Sequence, residues 1–159
     1  MRILVPVKGT PESEMSIPLA RQLSSELDGE IYLVRVVVWL DAFGPTRFDP
    51  DILQAMNDAA RYLTDVVSRF DLPTDRTHPL VSWSANAAKE IIATAEKESI
   101  DLIIMSCRRK SWLRYLMRGC VYCDVVRSHV SPVLCVPPAG AEASPRDGAR
   151  HPAMAATRP

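Results

Sequence analysis

The sequence predicts an α/β protein in which helices cover both faces of a doubly wound, five-stranded parallel sheet. Short apolar segments rich in β-branched residues recur along the chain, and a helical pattern separates each from the next. These segments are nearly continuous apolar runs, which is typical of parallel strands buried on both faces. Because crossovers between parallel strands are right-handed, a doubly wound sheet follows, and such sheets bind ligands at the carboxyl ends of their strands.

The individual elements follow from local patterns. The predicted strands are 2–7, 30–38, 77–83, 101–106 and 132–138. The first helix is expected to start at Thr10, with Pro11 at its first position, and to continue without a break to Asp28-Gly29. Its predicted inner stripe is Met15, Leu19, Leu23 and Leu27. A long helix opens at Asp49-Pro50, a third is capped by Asn86, and a fourth spans about 119–129.

Length and composition predict one globular domain. The chain has 159 residues, 47% of them apolar and 24% charged, and its 19 basic and 19 acidic residues balance. This balance excludes a global field that attracts nucleic acid or an anionic membrane, so nucleic acid is not expected as a partner. We expect an ordered domain over 1–138 and a disordered tail over 139–159, where Met154 is the one large apolar residue.

The sequence also predicts a cytoplasmic location. The opening "MRILVPVKGT" has too short an apolar run for a signal peptide. No stretch approaches the roughly 18 apolar residues that a bilayer span requires. We therefore expect neither a membrane anchor nor secretion.

Three blocks of the sequence, "ILVPVKGTPESE", "KEIIATAEKESIDLIIMS" and "LMRGCVYCDVVRSHVSPVLCVPP", together resemble the universal stress protein family. "ILVPVKGTPESE" is similar to its first strand and turn, and "KEIIATAEKESIDLIIMS" to its third helix and fourth strand. "LMRGCVYCDVVRSHVSPVLCVPP" is similar to its closing helix and last strand. The resemblance covers about 1–138 and implies the same doubly wound fold.

The nucleotide-binding branch of that family implies a site that this chain has largely lost. Its motif is a glycine, two residues, a second glycine, nine residues, and a glycine followed by Ser or Thr, which together approach phosphates. The equivalent positions here are Ser106, Arg109, Gly119 and Cys120, so one of four is kept. Lys8 replaces an acid that usually contacts the nucleotide. The positions that the resemblance assigns to nucleotide contact are Val7, Lys8, Val37, Ser106, Arg109, Gly119 and Cys120.

The segment between the fourth strand and the last helix is strongly basic. Its cations, with no acid among them, are Arg108, Arg109, Lys110, Arg114 and Arg118. One interpretation is an anion site rebuilt from side chains, with Trp112 and Tyr115 available to stack on a base. The other is a solvated loop, whose aromatic residues cover the sheet edge or face a partner.

Cys120 and Cys123 form a C-x-x-C pair at the predicted start of the last helix. A thiolate is stabilised at such a position, so the pair is a candidate redox site. The alternative is that both are small apolar side chains in a helix. Neither these cysteines nor the histidines show the spacing of a metal site, and no metal is predicted.

These observations lead to one prediction of function and one main alternative. No nucleophile motif or Walker loop is present, so we do not expect an enzyme or a required cofactor. We expect a non-enzymatic stress-response accessory protein that acts through protein contacts. The resemblance implies a homodimer joined through the last strand, at Val133, Leu134, Cys135 and Val136. The alternative is an ATP-binding protein, with Mg²⁺, that uses the altered Arg-rich loop and hydrolyses slowly.

Overall fold

The structure, a computed structural model, describes residues 1–39, 50–106 and 120–137. The predictions about the basic segment that follows the fourth strand, and about the tail, concern residues outside these ranges. Within the described ranges, no helix is both long and apolar enough to cross a membrane.

The observed elements alternate along the chain as the sequence predicts. The strands are β1 (Arg2–Pro6), β2 (Glu30–Val38), β3 (Thr77–Ser84), β4 (Leu102–Ser106) and β5 (Val133–Val136). The helices are α1 (Pro11–Glu14), α2 (Ile17–Glu26), α3 (Pro50–Arg69), α4 (Ala87–Lys97) and α5 (Val121–Ser128). The strands pair in parallel in the order β3-β2-β1-β4-β5. This confirms the predicted doubly wound sheet.

The period of two along each strand divides the core between the two faces of the sheet. On one face, Ile3, Val5 and Leu33 pack against α2 and α3. On the other, Leu4 and Val34 pack with residues of α4 and α5. Because both sets are fully buried, the central strands lack a solvent face, which explains their continuous apolar sequence.

Several local predictions are confirmed in detail. The bounds of β2 are those predicted, and the other strands differ from their predicted ranges by one or two residues, β5 at both ends and the rest at one end. Asn86 caps α4, since its side-chain oxygen accepts the Lys89 amide at 3.1 Å.

The prediction of one continuous first helix is wrong. The chain forms α1, breaks at Met15 and Ser16, and starts again as α2 with Pro18 in its first turn. Proline has no N–H for the carbonyl four residues earlier and clashes with it, so Pro18 starts a new helix. Because of the break, α2 faces the core with other side chains than predicted. Ile17, Ala20 and Ser24 are buried, whereas Leu27 is half exposed.

Candidate functional site

The strand order reverses direction between the carboxyl ends of β1 and β4. The chain leaves β1 toward β2 on one side and leaves β4 toward β5 on the other. Helices covering the sheet therefore diverge at this point, as they do at the ligand sites of doubly wound sheets. The described residues that the topology brings to this edge are Lys8–Thr10 after β1, Ser106 at the end of β4 and Cys120 before α5.

The turn between β1 and α1 is closed by its own hydrogen bonds. The Ser13 hydroxyl oxygen accepts the backbone N–H groups of Lys8 and Thr10, both at 3.2 Å. The same hydroxyl donates to the Thr10 carbonyl at 2.7 Å. The Thr10 side chain in turn accepts the Ser13 amide at 3.4 Å, which completes a capping box with serine in the usual glutamate position. Two amides that face this edge are thus already bound within the turn.

Lys8 and Gly9 stand at the exposed tip of this turn. The Lys8 side chain is exposed, so it places a positive charge where the resemblance expects an acid. Gly9 has φ +80°, a conformation that a side chain at Cβ disfavours. A Cβ added there would also overlap the guanidinium of Arg35, which lies beneath the turn.

Arg35 is a cation in the apolar strand β2 that sequence reasoning missed. Its guanidinium carbon lies 4.6 Å from the centre of the Tyr62 ring, in a cation–π contact. Its Nη1 atom is buried and has no hydrogen-bond partner among the described residues. A single arginine in the run "YLVRVVV" was the available signal, since a charge in a buried strand needs a compensating group. Here part of that compensation is the aromatic face.

A network of side chains ties Tyr62 to the first helix. The Tyr62 hydroxyl donates to Glu14 at 2.7 Å, and Arg69 donates to both Glu14 oxygens at 3.0 Å. The bond from Arg69 lowers the pKa of Glu14, more than burial raises it. Burial, and then the bond to Glu14, raise the pKa of the Tyr62 hydroxyl. The network therefore joins α1 to α3 and holds the ring on which Arg35 rests.

The nucleotide positions that the resemblance assigns differ in their environment, and some of them lie outside the described residues. The Val7 side chain is buried in the core, and the Val7 amide donates to the Val34 carbonyl at 2.9 Å, so that side chain does not face a ligand. Val37 and Ser106 are half-buried at the ends of β2 and β4. Arg109, Gly119 and the other cations of the basic loop lie outside the described residues.

Cys120 and Cys123 lie close together at the start of α5. Cys120 is the N-cap and Cys123 is the third helical residue. Both are free thiols, half-buried, and hydrogen-bonded to each other. In the described part of the chain, this site included, no group of three or more His, Cys, Asp or Glu side chains could hold a metal ion.

Comparison with known proteins identifies the family to which this geometry belongs. The universal stress protein family matches residues 1–137, and the chain belongs to this family. A universal stress protein from Methanocaldococcus jannaschii, MJ0531, is 28% identical over 141 residues, which cover 85% of this chain and 81% of the relative.

Solved structures share the fold at lower identity. A universal stress protein in complex with cAMP has a TM-score of 0.67 at 14% identity and covers 86% of this chain and 96% of its own. The Archaeoglobus fulgidus universal stress protein in complex with dAMP has a TM-score of 0.61 at 16% identity, covering 85% and 96%. The predicted fold and family are both confirmed.

The contact between Gly9 and Arg35 predicts a measurable coupling. Gly9→Ala should lower the free energy of unfolding by about 2 kcal/mol, from its positive φ and the displaced guanidinium. In an Arg35→Ala background that loss should shrink by about 0.5–1 kcal/mol, because the cation–π contact is already gone. Urea unfolding of the four proteins measures the difference.

Gly29→Ala provides the matched control for this cycle. Gly29 lies at the opposite edge of the sheet, where an added Cβ would meet the Met1 carbonyl oxygen at 2.8 Å. Gly29→Ala should therefore lower the free energy of unfolding by the same amount in the native chain and in the Arg35→Ala background. Equal costs for Gly9→Ala in both backgrounds would contradict the placement of Arg35 beneath the turn.

Proposed function

We propose that this chain is a non-enzymatic regulatory member of the universal stress protein family that acts as a homodimer through protein contacts. The observation that carries the proposal is the apolar end strand β5. It is the last strand in the sheet order and pairs with β4 within the described sheet. An end strand without charged residues is a template for pairing with another chain.

The hydrogen bonds of β5 give the direction of its backbone groups. The Ile103 amide donates to the Pro132 carbonyl at 2.9 Å, so that carbonyl faces β4. Since backbone groups alternate in direction along a strand, the N–H and C=O of Val133 point away from β4. The Leu134 side chain is 38% exposed beside them. A second copy offers the same groups, so a two-fold pairing of β5 with β5 satisfies both.

The closed turn after β1 argues against ATP binding in the manner of the family's nucleotide-binding branch, in which backbone groups approach the phosphates. The Lys8 and Thr10 amides are bound by Ser13, and the Gly9 tip rests on Arg35. A phosphate at this edge would meet a lysine side chain instead of free amides. Together with the substituted loop positions Ser106 and Arg109, this supports a member that regulates by contact and does not turn over ATP.

A charge on β5 should separate the dimer. We expect Leu134→Glu to sediment as a monomer at concentrations at which the native chain is a dimer, because the charge would be desolvated in the paired strands. Analytical ultracentrifugation measures this, with circular dichroism to verify the fold.

Leu53→Glu is the matched control. Leu53 is a leucine with 50% exposure on α3, a helix that packs against β2 and β3. That variant should remain dimeric. A native chain that is monomeric, or a Leu134→Glu variant that stays dimeric, would count against the proposal.

An adenine-nucleotide-binding function is the second candidate, and the exposed Lys8 favours it. Lys8 lies at the carboxyl edge of β1, where a cation can pair with a phosphate. Two proteins with this fold are in complex with cAMP and dAMP. In this mode side chains would bind the phosphates. Lys8 would take the place of the family's acidic residue, and the cations of the basic loop would take the place of its motif glycines.

Calorimetry with ATP and Mg²⁺ separates the two candidates. The regulatory proposal predicts no binding heat and no nucleotide carried through purification, because the turn's amides are already occupied. The second candidate predicts micromolar binding that Lys8→Glu weakens about tenfold, the worth of one charge-assisted contact. Lys97→Glu, a change of an exposed lysine at the end of α4, should leave any such binding unaltered.

A further inference from the structure

We propose that Cys120 and Cys123 form a reversible dithiol–disulfide site that exchanges with small disulfides such as glutathione disulfide. The site lies at the start of α5. It is independent of the regulatory and nucleotide-binding functions proposed above, since it requires neither a dimer nor a nucleotide.

The local geometry brings the two thiols together. In a capping box, the side chains of the N-cap residue and of the third helical residue each bond to the other's backbone N–H, so these two positions hold their side chains near each other. Cys120 occupies the first position and Cys123 the second, and their thiols are hydrogen-bonded. Cys120 makes no side-chain cap bond, so its sulfur is not committed to the helix backbone. A disulfide can therefore form with little movement of the chain.

Environment gives the two sulfurs different roles. Cys120 is the N-cap of the eight-residue helix α5, next to the first-turn N–H groups that have no partner within the helix. The pKa of the Cys123 thiol is raised, first by burial and then by its bond to Cys120. We therefore assign Cys120 as the attacking sulfur and Cys123 as the resolving one.

The exchange proceeds in two balanced steps. The Cys120 thiolate attacks one sulfur of glutathione disulfide, which forms a mixed disulfide and releases one glutathione thiolate. Cys123 loses its proton and attacks the Cys120 sulfur, which forms the internal disulfide and releases the second glutathione. Two protein thiols are oxidised and one molecule of glutathione disulfide is reduced to two of glutathione. Excess glutathione reverses both steps.

The sequence provides a fragment that reports on this site alone. Trypsin cleaves after Arg118 and after Arg127, which gives the peptide 119–127, GCVYCDVVR, with Cys120 and Cys123 and no other cysteine. The folded chain is equilibrated with mixtures of glutathione and its disulfide, acid-quenched, alkylated and digested. Mass spectrometry then distinguishes a peptide with two alkyl groups from one lighter by two hydrogens.

The expected result is a titration from the dialkylated peptide to the internal disulfide as the share of glutathione disulfide rises. The disulfide should form at a lower share in the folded chain than in the same chain unfolded in urea, because the fold holds the sulfurs together. A peptide that stays dialkylated in glutathione disulfide alone would overturn the proposal. Equal titrations of the folded and unfolded chains would overturn it too.

Two single variants test the assigned roles. Cys123→Ser should accumulate a mixed disulfide of glutathione at Cys120, because the resolving sulfur is missing. Cys120→Ser should react severalfold more slowly at Cys123. If Cys123 in that variant reacts as fast as Cys120 does in the other, the assignment of the attacking sulfur is wrong.

Discussion

The hydroxyl of Ser13 determines how the carboxyl edge of this sheet is built. By binding the amides of Lys8 and Thr10, it folds the chain after β1 into a closed turn and starts α1. With those donors occupied, the edge presents a lysine side chain in place of a row of amides. The turn also brings Gly9 onto Arg35, so the tip and the strand below it depend on one another. A phosphate cradle needs the opposite arrangement, with amides left open toward the ligand.

This closed turn is supported from the α3 side of the sheet. Arg35 lies against Tyr62, Tyr62 donates to Glu14, and Glu14 is held by Arg69. The contacts run from β2 through α3 to α1, so the first helix is joined to the sheet by polar groups as well as by its short apolar face. That reinforcement matters because Pro18 ends the first helix after a single turn.

The fold could be predicted because its signals are local and repeated. The apolar run of β2 has the bounds that the sequence gives, and Asn86 caps α4 as expected. The break before α2 was missed because an apolar period continues through Met15 and Leu19, although Pro18 already excludes an unbroken helix. Arg35 was missed because its partners, Tyr62 and Gly9, are distant in the sequence and meet only in the fold.

The candidate site was predictable in location and less so in chemistry. The resemblance to the family places ligand contacts at Val7 and Lys8, but it does not reveal that Val7 points into the core. Nor does spacing alone reveal that Ser13 takes up the neighbouring amides, since serine is also common as a simple surface residue of a helix. The C-x-x-C pair was visible in the sequence, and the position of α5 decides which sulfur is the N-cap.

The most direct test of this account is amide hydrogen exchange at Lys8 and Thr10, measured by NMR with and without ATP. If Ser13 holds both amides, each should exchange far more slowly than in an unstructured peptide, and ATP should change neither rate. Ser13→Ala should release this protection, while the Val7 amide, bonded to Val34 within the sheet, remains protected. Exchange of Lys8 and Thr10 at the rate of an unstructured peptide, or protection that appears only with ATP, would contradict the closed turn.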